Sequence, residues 1–210
     1  MFFSFDGLDG VGKSTQMDLF LGWLRAAGRD VVCCRDPGST PLGEAIREIL
    51  LGHQVPITRV SEMLLFMAAR AQLVDEVIRP ALERGQTVVS DRYLLANIVY
   101  QGHAGGLDVD TIRQIGRVAT GELMPDLVFV LDMPPEAAAG RIQRQADRME
   151  SQGPAYQARL RQGFLAEAAR DPARIVVVDA AREIDAVQAD IRAAASRALQ
   201  RGSVRSPSHD

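Results

Sequence analysis

Residues 2–15 read Phe2-Phe3-Ser4-Phe5-Asp6-Gly7-Leu8-Asp9-Gly10-Val11-Gly12-Lys13-Ser14-Thr15. The run Phe2–Phe5 is apolar and rich in β-formers, as a buried strand requires. From Gly7 to Ser14 the residues fit the spacing G-x-x-x-x-G-K-[ST], a loop whose glycines let backbone N–H groups turn inward around phosphate oxygens. Beyond Lys13, the residues Met17, Phe20, Leu21 and Leu24 recur at three and four and give one apolar helix face that ends at Gly28. Strand, glycine loop and helix in that order place a helix N-terminus, with its positive dipole end, at the phosphates of a nucleotide. Lys13 then neutralises the β- and γ-phosphates, and the Ser14 hydroxyl is the expected ligand for Mg2+.

Outward from this loop, four more apolar runs read as strands: Val31–Cys34, Thr87–Ser90, Leu127–Leu131 and Ile175–Val178. Helical patterns lie between them at Leu42–Leu51, Asp110–Gly121, Pro135–Arg148, Tyr156–Ala169 and Ala186–Leu199. A longer helix is expected over Ser61–Arg84, with Ser61 as its N-cap and Pro80 kinking its last turns. Strands buried on both faces and alternating with helices predict an α/β fold, a five-stranded parallel sheet with helices on both faces. Ligand sites in such sheets lie at the carboxyl ends of the strands. Residues 1–200 are expected to form one domain, and the polar tail 201–210 to be disordered.

The whole-chain composition is that of an ordinary globular protein, 47% hydrophobic and 24% charged over 210 residues. A net charge of −3 speaks against a dedicated nucleic-acid or anionic-membrane binder. No apolar run reaches the roughly 18 residues that cross a bilayer. The opening Met1–Phe5 has neither a charged leader nor a cleavage site, so no signal peptide is expected there. Cys33 and Cys34 are adjacent, would point to opposite faces of a strand, and read as small core residues in a reducing cytoplasm. His53 and His103 read as surface residues with no assigned role.

The loop alone leaves the reaction open. No N-K-x-D segment for reading guanine is present, and Leu8 and Asp9 stand where a partition-type ATPase would carry a second lysine. A small kinase and a nucleotide-switched regulator remain. Four further segments fall where an acceptor would bind. Arg35-Asp36-Pro37-Gly38-Ser39-Thr40-Pro41 follows the second strand, and Asp91-Arg92-Tyr93, Asn97 and Tyr100-Gln101-Gly102 follow the third. Phe66 and Arg70 share a helix face, and Arg141, Arg144 and Arg148 recur at three and four.

At this point the chain resembles the thymidylate (dTMP) kinases over nearly its whole length. The segments FDGLDGVGKSTQ, RDPGSTPLGEAIREILL, LLFMAARAQ, SDRYLLANIVYQG, LDMPPE and DRME are similar to that family's motifs, in its order. The resemblance implies a nucleoside-monophosphate-kinase-like P-loop fold, phosphoryl transfer from ATP to dTMP, Mg2+ as cofactor and a cytoplasmic homodimer. ATP would lie on Gly7, Leu8, Asp9, Gly10, Val11, Gly12, Lys13, Ser14 and Thr15, with Arg141. It implies Phe66 stacking on thymine, Arg70 donating to its O4, and Asn97 and Gln101 on the base edge. Arg92 and Arg47 would hold the acceptor phosphate. Asp9 would accept from the sugar 3′-hydroxyl and orient the phosphate-binding arginine, and Asp36 would also belong to the dTMP site. Tyr100 would sit against the 2′ carbon and exclude ribose. Asp91, with Ser14, would organise Mg2+ and its waters.

Some members of the family carry a transition-state arginine in the P-loop and others in a mobile lid. Gly10 occupies the loop position here, so the resemblance implies a lid, about residues 141–153, with Arg144 as the finger supported by Arg148. The chain departs from the family's habit at Asp36, where Glu is more frequent, at Ser39, where Gly is, and at Ala96, where Ser is. Another nucleotide or nucleoside kinase is the nearest alternative. Arg70 disfavours cytosine, whose N4 amino group would meet it donor to donor.

Overall fold

The protein is described here by a computed structural model covering residues 1–52, 56–142 and 153–204. Five strands, β1 (Phe2–Gly7), β2 (Val31–Arg35), β3 (Thr87–Asp91), β4 (Leu127–Asp132) and β5 (Ile175–Asp179), form one parallel sheet in the order β2-β3-β1-β4-β5. The chain thus begins at the centre of the sheet and builds both wings outward. The three central strands are buried almost end to end. The edge strands β2 and β5 are only half covered. That gradient corrects the expectation that all five are buried on both faces, and it corrects Cys33: this thiol is exposed on edge strand β2, and only Cys34 belongs to the core.

Side chains alternate across β1, so its two faces carry two cores. Phe3 and Phe5 pack with Phe20 of α1 (Lys13–Ala26) and with Phe129, ring centroids 4.9–6.1 Å apart. The C-terminal helix α9 (Ile184–Val204) packs beside α1 through Val187 and Ile191. The opposite face gathers Phe2 and Val88 under α3 (Arg59–Leu73), which also packs against α2 (Pro41–Leu51). α9 runs past Arg201, where the tail was expected, and residues 205–210 lie outside the described residues, as does His53.

The expected long helix is broken into pieces. α3 begins at Arg59 and is capped by Thr58, whose Oγ1 accepts from the Ser61 amide, so Ser61 is the third helical residue rather than the cap. A π-helical turn, Val74–Ile78, separates α3 from α4 (Arg79–Glu83). Proline has no N–H for the helical ladder and crowds the carbonyl four residues back, here that of Glu76 inside the wider turn. A second π turn, Ile98–His103, follows the short helix α5 (Leu94–Asn97) and carries Tyr100 and Gln101 into the site.

α6 (Val109–Thr120) starts on an Asp108 cap and ends on Gly121 in a left-handed conformation. α7 (Pro135–Ala139) is shorter than the helix expected to run to Arg148; it stops at Gly140, and residues 143–152 lie outside the described residues. α8 (Pro154–Arg170) completes the fold beside the second π turn. Among the described residues, no helix is long and apolar enough to cross a membrane.

Candidate active site

A cavity of about 1030 Å3 opens along the carboxyl ends of the strands. One end is the glycine loop. Gly10 and Gly12 adopt φ of 83° and 92°, left-handed values that side-chain-bearing residues avoid. A Cβ at Gly10 would also sit 2.2 Å from the Ala138 carbonyl of α7. Position 10 therefore has no room for a side chain here.

Lys13 is buried against this loop. Its Nζ donates to the Leu8 carbonyl at 2.7 Å and the Gly7 carbonyl at 3.3 Å, with Asp9 Oδ1 at 3.4 Å. Burial, then the nearby Arg92 charge, lowers its pKa. Gly10–Gln16 line the cavity, whereas Gly7 and Leu8 do not: the Leu8 side chain is in the core, and both residues offer carbonyls to Lys13.

Arg92 stands between this cradle and the rest of the cavity. It follows β3 with φ of 67°, a strained value for a non-glycine residue and one that concentrates at functional sites. Its amide donates to the Phe5 carbonyl, while its own carbonyl accepts from Ser90. The guanidinium donates to the Gly7 carbonyl at 3.1 Å and to Asp9 Oδ1 at 2.6 Å, and lies 5.1 Å over the Tyr100 ring. Burial opposes the charge on Asp9, but Arg92 and Lys13 overcome it and hold this carboxyl well below the usual range. The Tyr100 hydroxyl reaches Asp9 Oδ2 at 3.4 Å.

At the other end, Phe66 and Arg70 of α3 line the cavity with Asn97 and Gln101. Arg70 is almost wholly buried and donates through Nε to Asp36 Oδ2 at 2.5 Å and through an η nitrogen to Asn97 Oδ1 at 2.5 Å. Arg47 reaches in from α2, held by the Pro37 carbonyl. The β2–α2 loop is built around a cis Asp36–Pro37 peptide and Ser39 at φ 62°. That left-handed value is one glycine adopts without strain. Here Ser39 uses its Oγ to accept the Arg35 amide at 2.8 Å and donates its own amide to Glu44.

Three carboxyl groups hold buried oxygens without a hydrogen-bond partner among the described residues: both of Asp6, Asp91 Oδ1 and Asp36 Oδ1. Burial pushes the Asp6 pKa up to about 7 against the pull of Arg92 and Lys13.

The structure brings Asp9, Ser14, Thr15, Asp36, Arg47, Phe66, Arg70, Asp91, Arg92, Asn97, Tyr100, Gln101 and Arg141 to one cavity. Arg144 and Arg148 lie outside the described residues. Sequence reading missed one wall, the turn Ala180–Ile184 after β5, which faces the loop where Gln16 donates to the Ile184 carbonyl and Arg141 to that of Ala180. Its position at a strand's carboxyl end was the available signal.

With this geometry in place, comparison with known proteins is specific. The family model described as thymidylate kinase matches residues 5–191. A thymidylate kinase of Rhodopirellula baltica is 46% identical over 188 residues, covering 90% of this chain and 77% of the relative. One from Bifidobacterium longum is 48% identical over 195 residues, covering 91% and 95%. The crystal structure of thymidylate kinase from Ehrlichia chaffeensis superposes with a TM-score of 0.76 at 28% identity, over 92% of this chain and 97% of that one.

Proposed function

The chain belongs to the thymidylate kinase family and transfers a phosphoryl group from ATP to dTMP, giving dTDP and ADP; from that premise we propose how its residues divide the work. The loop from Gly7 to Thr15 wraps the ATP phosphates, and Lys13 leaves its carbonyl partners for the β- and γ-phosphates. Arg141 and the turn Ala180–Ile184 flank the nucleoside end of ATP. Phe66 stacks on thymine, Arg70 donates to O4, and Asn97 and Gln101 meet the base edge. Arg92 and Arg47 hold the acceptor phosphate, whose charge of about −2 suits guanidinium forks. Asp9 accepts from the 3′-hydroxyl while holding Arg92, and Tyr100 fills the space a 2′-hydroxyl would need.

Ser14 and Asp91 are the residues we assign to Mg2+. The unpartnered Asp91 oxygen, buried beside the phosphate cradle, fits a hydrated cation. When bound, the ion neutralises charge on the donor's phosphate oxygens. Positioning and charge neutralisation carry the transfer, without a covalent intermediate. Lid arginines, with Arg144 as the finger and Arg148 in support, meet the charge on the moving phosphoryl group.

We take residues 1–204 as one cytoplasmic kinase domain that works as a homodimer. Leu42 and Ile49 of α2, Val60 and Leu64 of α3 and Val118 of α6 are large, apolar and exposed, and α3 packs against both other helices. The observation that carries the reading is Arg92, fixed between the glycine loop and the acceptor end of one cavity. A coupled ADP-release assay with Mg·ATP against nucleoside monophosphates tests it. Fast turnover is expected with dTMP, slower with dUMP, and negligible with dCMP, AMP and GMP. Equal turnover across the panel would overturn the pocket assignment.

A further inference from the structure

Five buried side chains run in one unbroken file beside the acceptor end of the cavity. Arg70 donates through Nε to Asp36 and through an η nitrogen to Asn97 Oδ1. Asn97 Nδ2 donates to Gln101 Oε1 at 2.8 Å, and Gln101 Nε2 donates to Glu62 Oε1 at 2.7 Å. Arg70, Asn97 and Gln101 line the cavity; Glu62, in the first turn of α3 and 6% exposed, does not.

The two amides in this file have no intrinsic direction, since each carries a donor and an acceptor of nearly the same shape. Its ends do. A guanidinium can only donate and a carboxylate can only accept. Arg70 therefore requires the Asn97 oxygen, and Glu62 requires the Gln101 nitrogen. Reversing Gln101 would set its nitrogen against Asn97 Nδ2 and its oxygen against the Glu62 carboxylate. Both ends thus favour one arrangement, in which the donors all point from Arg70 toward Glu62.

We infer that Glu62 is a specificity-determining positioning residue: acting through Gln101, it joins Arg70 in fixing the amide of Asn97, so that an acceptor lies beside the Arg70 donors at the base edge. This inference rests on the base-binding roles given above to Arg70 and Asn97. A donor beside an acceptor matches the C4 carbonyl and N3–H of thymine or uracil. Cytosine presents the reverse, an amino group and a bare N3, and is rejected twice. Sequence spacing does not reveal Glu62, because it touches no substrate; only the file of hydrogen bonds connects it to the base.

The test is equilibrium titration of the full chain with dTMP and with dCMP, for the parent protein, Glu62→Gln and Asn97→Ala. Glutamine at 62 keeps the shape but can donate as well as accept, so Gln101 is no longer held to one orientation and the Asn97 amide is held by Arg70 alone. The expected result is that the preference for dTMP over dCMP narrows by about threefold in Glu62→Gln, with the affinity for ATP unchanged. Part of the narrowing should be tighter dCMP binding, which a merely loosened pocket would not produce. Glu62→Asp, which restores an obligate acceptor, should recover preference relative to Glu62→Gln. If Glu62→Gln does not fold, Glu62→Met removes the acceptor at similar length and should narrow the preference in the same way. An unchanged preference in the position-62 variants, with a narrowed one in Asn97→Ala, would refute the role of Glu62. An unchanged preference in Asn97→Ala would instead overturn the base-edge reading, and this inference with it.

Discussion

At Asp6 the protein holds a carboxyl with no exposure and no hydrogen-bond partner among the described residues, beneath the charges of Lys13 and Arg92. Its pKa is raised by burial from 3.8 to about 7, so the folded state keeps a proton that the unfolded chain releases. Stability from this group is fully present below about pH 3.8 and is lost as the pH rises through about 7. The loss amounts to about 4 kcal/mol across that window. Asp6→Asn should therefore gain stability relative to the parent as pH rises from 4 to 7 in denaturant titrations of the ligand-free protein. A difference that stays flat with pH would contradict the buried, protonated state. A second residue-scale prediction concerns Phe66, half-buried at the cavity wall. Phe66→Ala should weaken dTMP binding by about 1–3 kcal/mol while the KM for ATP holds. An unchanged KM for dTMP would refute the stacking role.

Between elements, the contact of the glycine loop with α7 leaves no space for a side chain at Gly10. Gly10 and Gly28 both sit at positive φ, but a Cβ at Gly10 meets the Ala138 carbonyl, whereas a Cβ at Gly28 meets nothing within 4 Å. Gly28→Ala should cost only the left-handed strain, about 1–2 kcal/mol. Gly10→Ala should cost more in thermal denaturation, because α7 must also move. Equal shifts would show that α7 yields freely, and would reopen the loop to a larger residue. This contact lay beyond the reach of the sequence, which marks a glycine but not the helix pressed against it. The β1–loop–α1 unit was legible because strand, glycines, lysine and amphipathic helix are contiguous. So were all five strands, since each is a short apolar run between breakers. The exposure of Cys33 was not, because the order of strands, and hence which is an edge, depends on pairings between distant segments. Thr58 was passed over for Ser61 because either hydroxyl can cap. The π turn before Pro80 was readable only as a kink.

For the whole molecule, the sheet order places β1 and β3 side by side, so the residues leaving them, the glycine loop and Arg92, meet over one cavity. The proposed donor cradle and acceptor pocket share Asp9 and Arg92, so charge placed in one would be felt in the other. The exposed Leu42, Ile49, Val60, Leu64 and Val118 of α2, α3 and α6 do not line this cavity and carry the proposed dimer contact. Leu64→Glu should convert a dimeric elution profile to a monomeric one at micromolar concentration. A profile unchanged by the charge would place the partner elsewhere.

The central claim is that ATP and dTMP occupy this cavity together and exchange the phosphoryl group directly. Initial velocities measured while both substrates are varied test it most directly. Intersecting double-reciprocal lines, with Arg92 and Lys13 variants lowering turnover without changing the pattern, are the predicted result. Parallel lines, the signature of a phosphorylated enzyme formed before dTMP binds, would contradict the account.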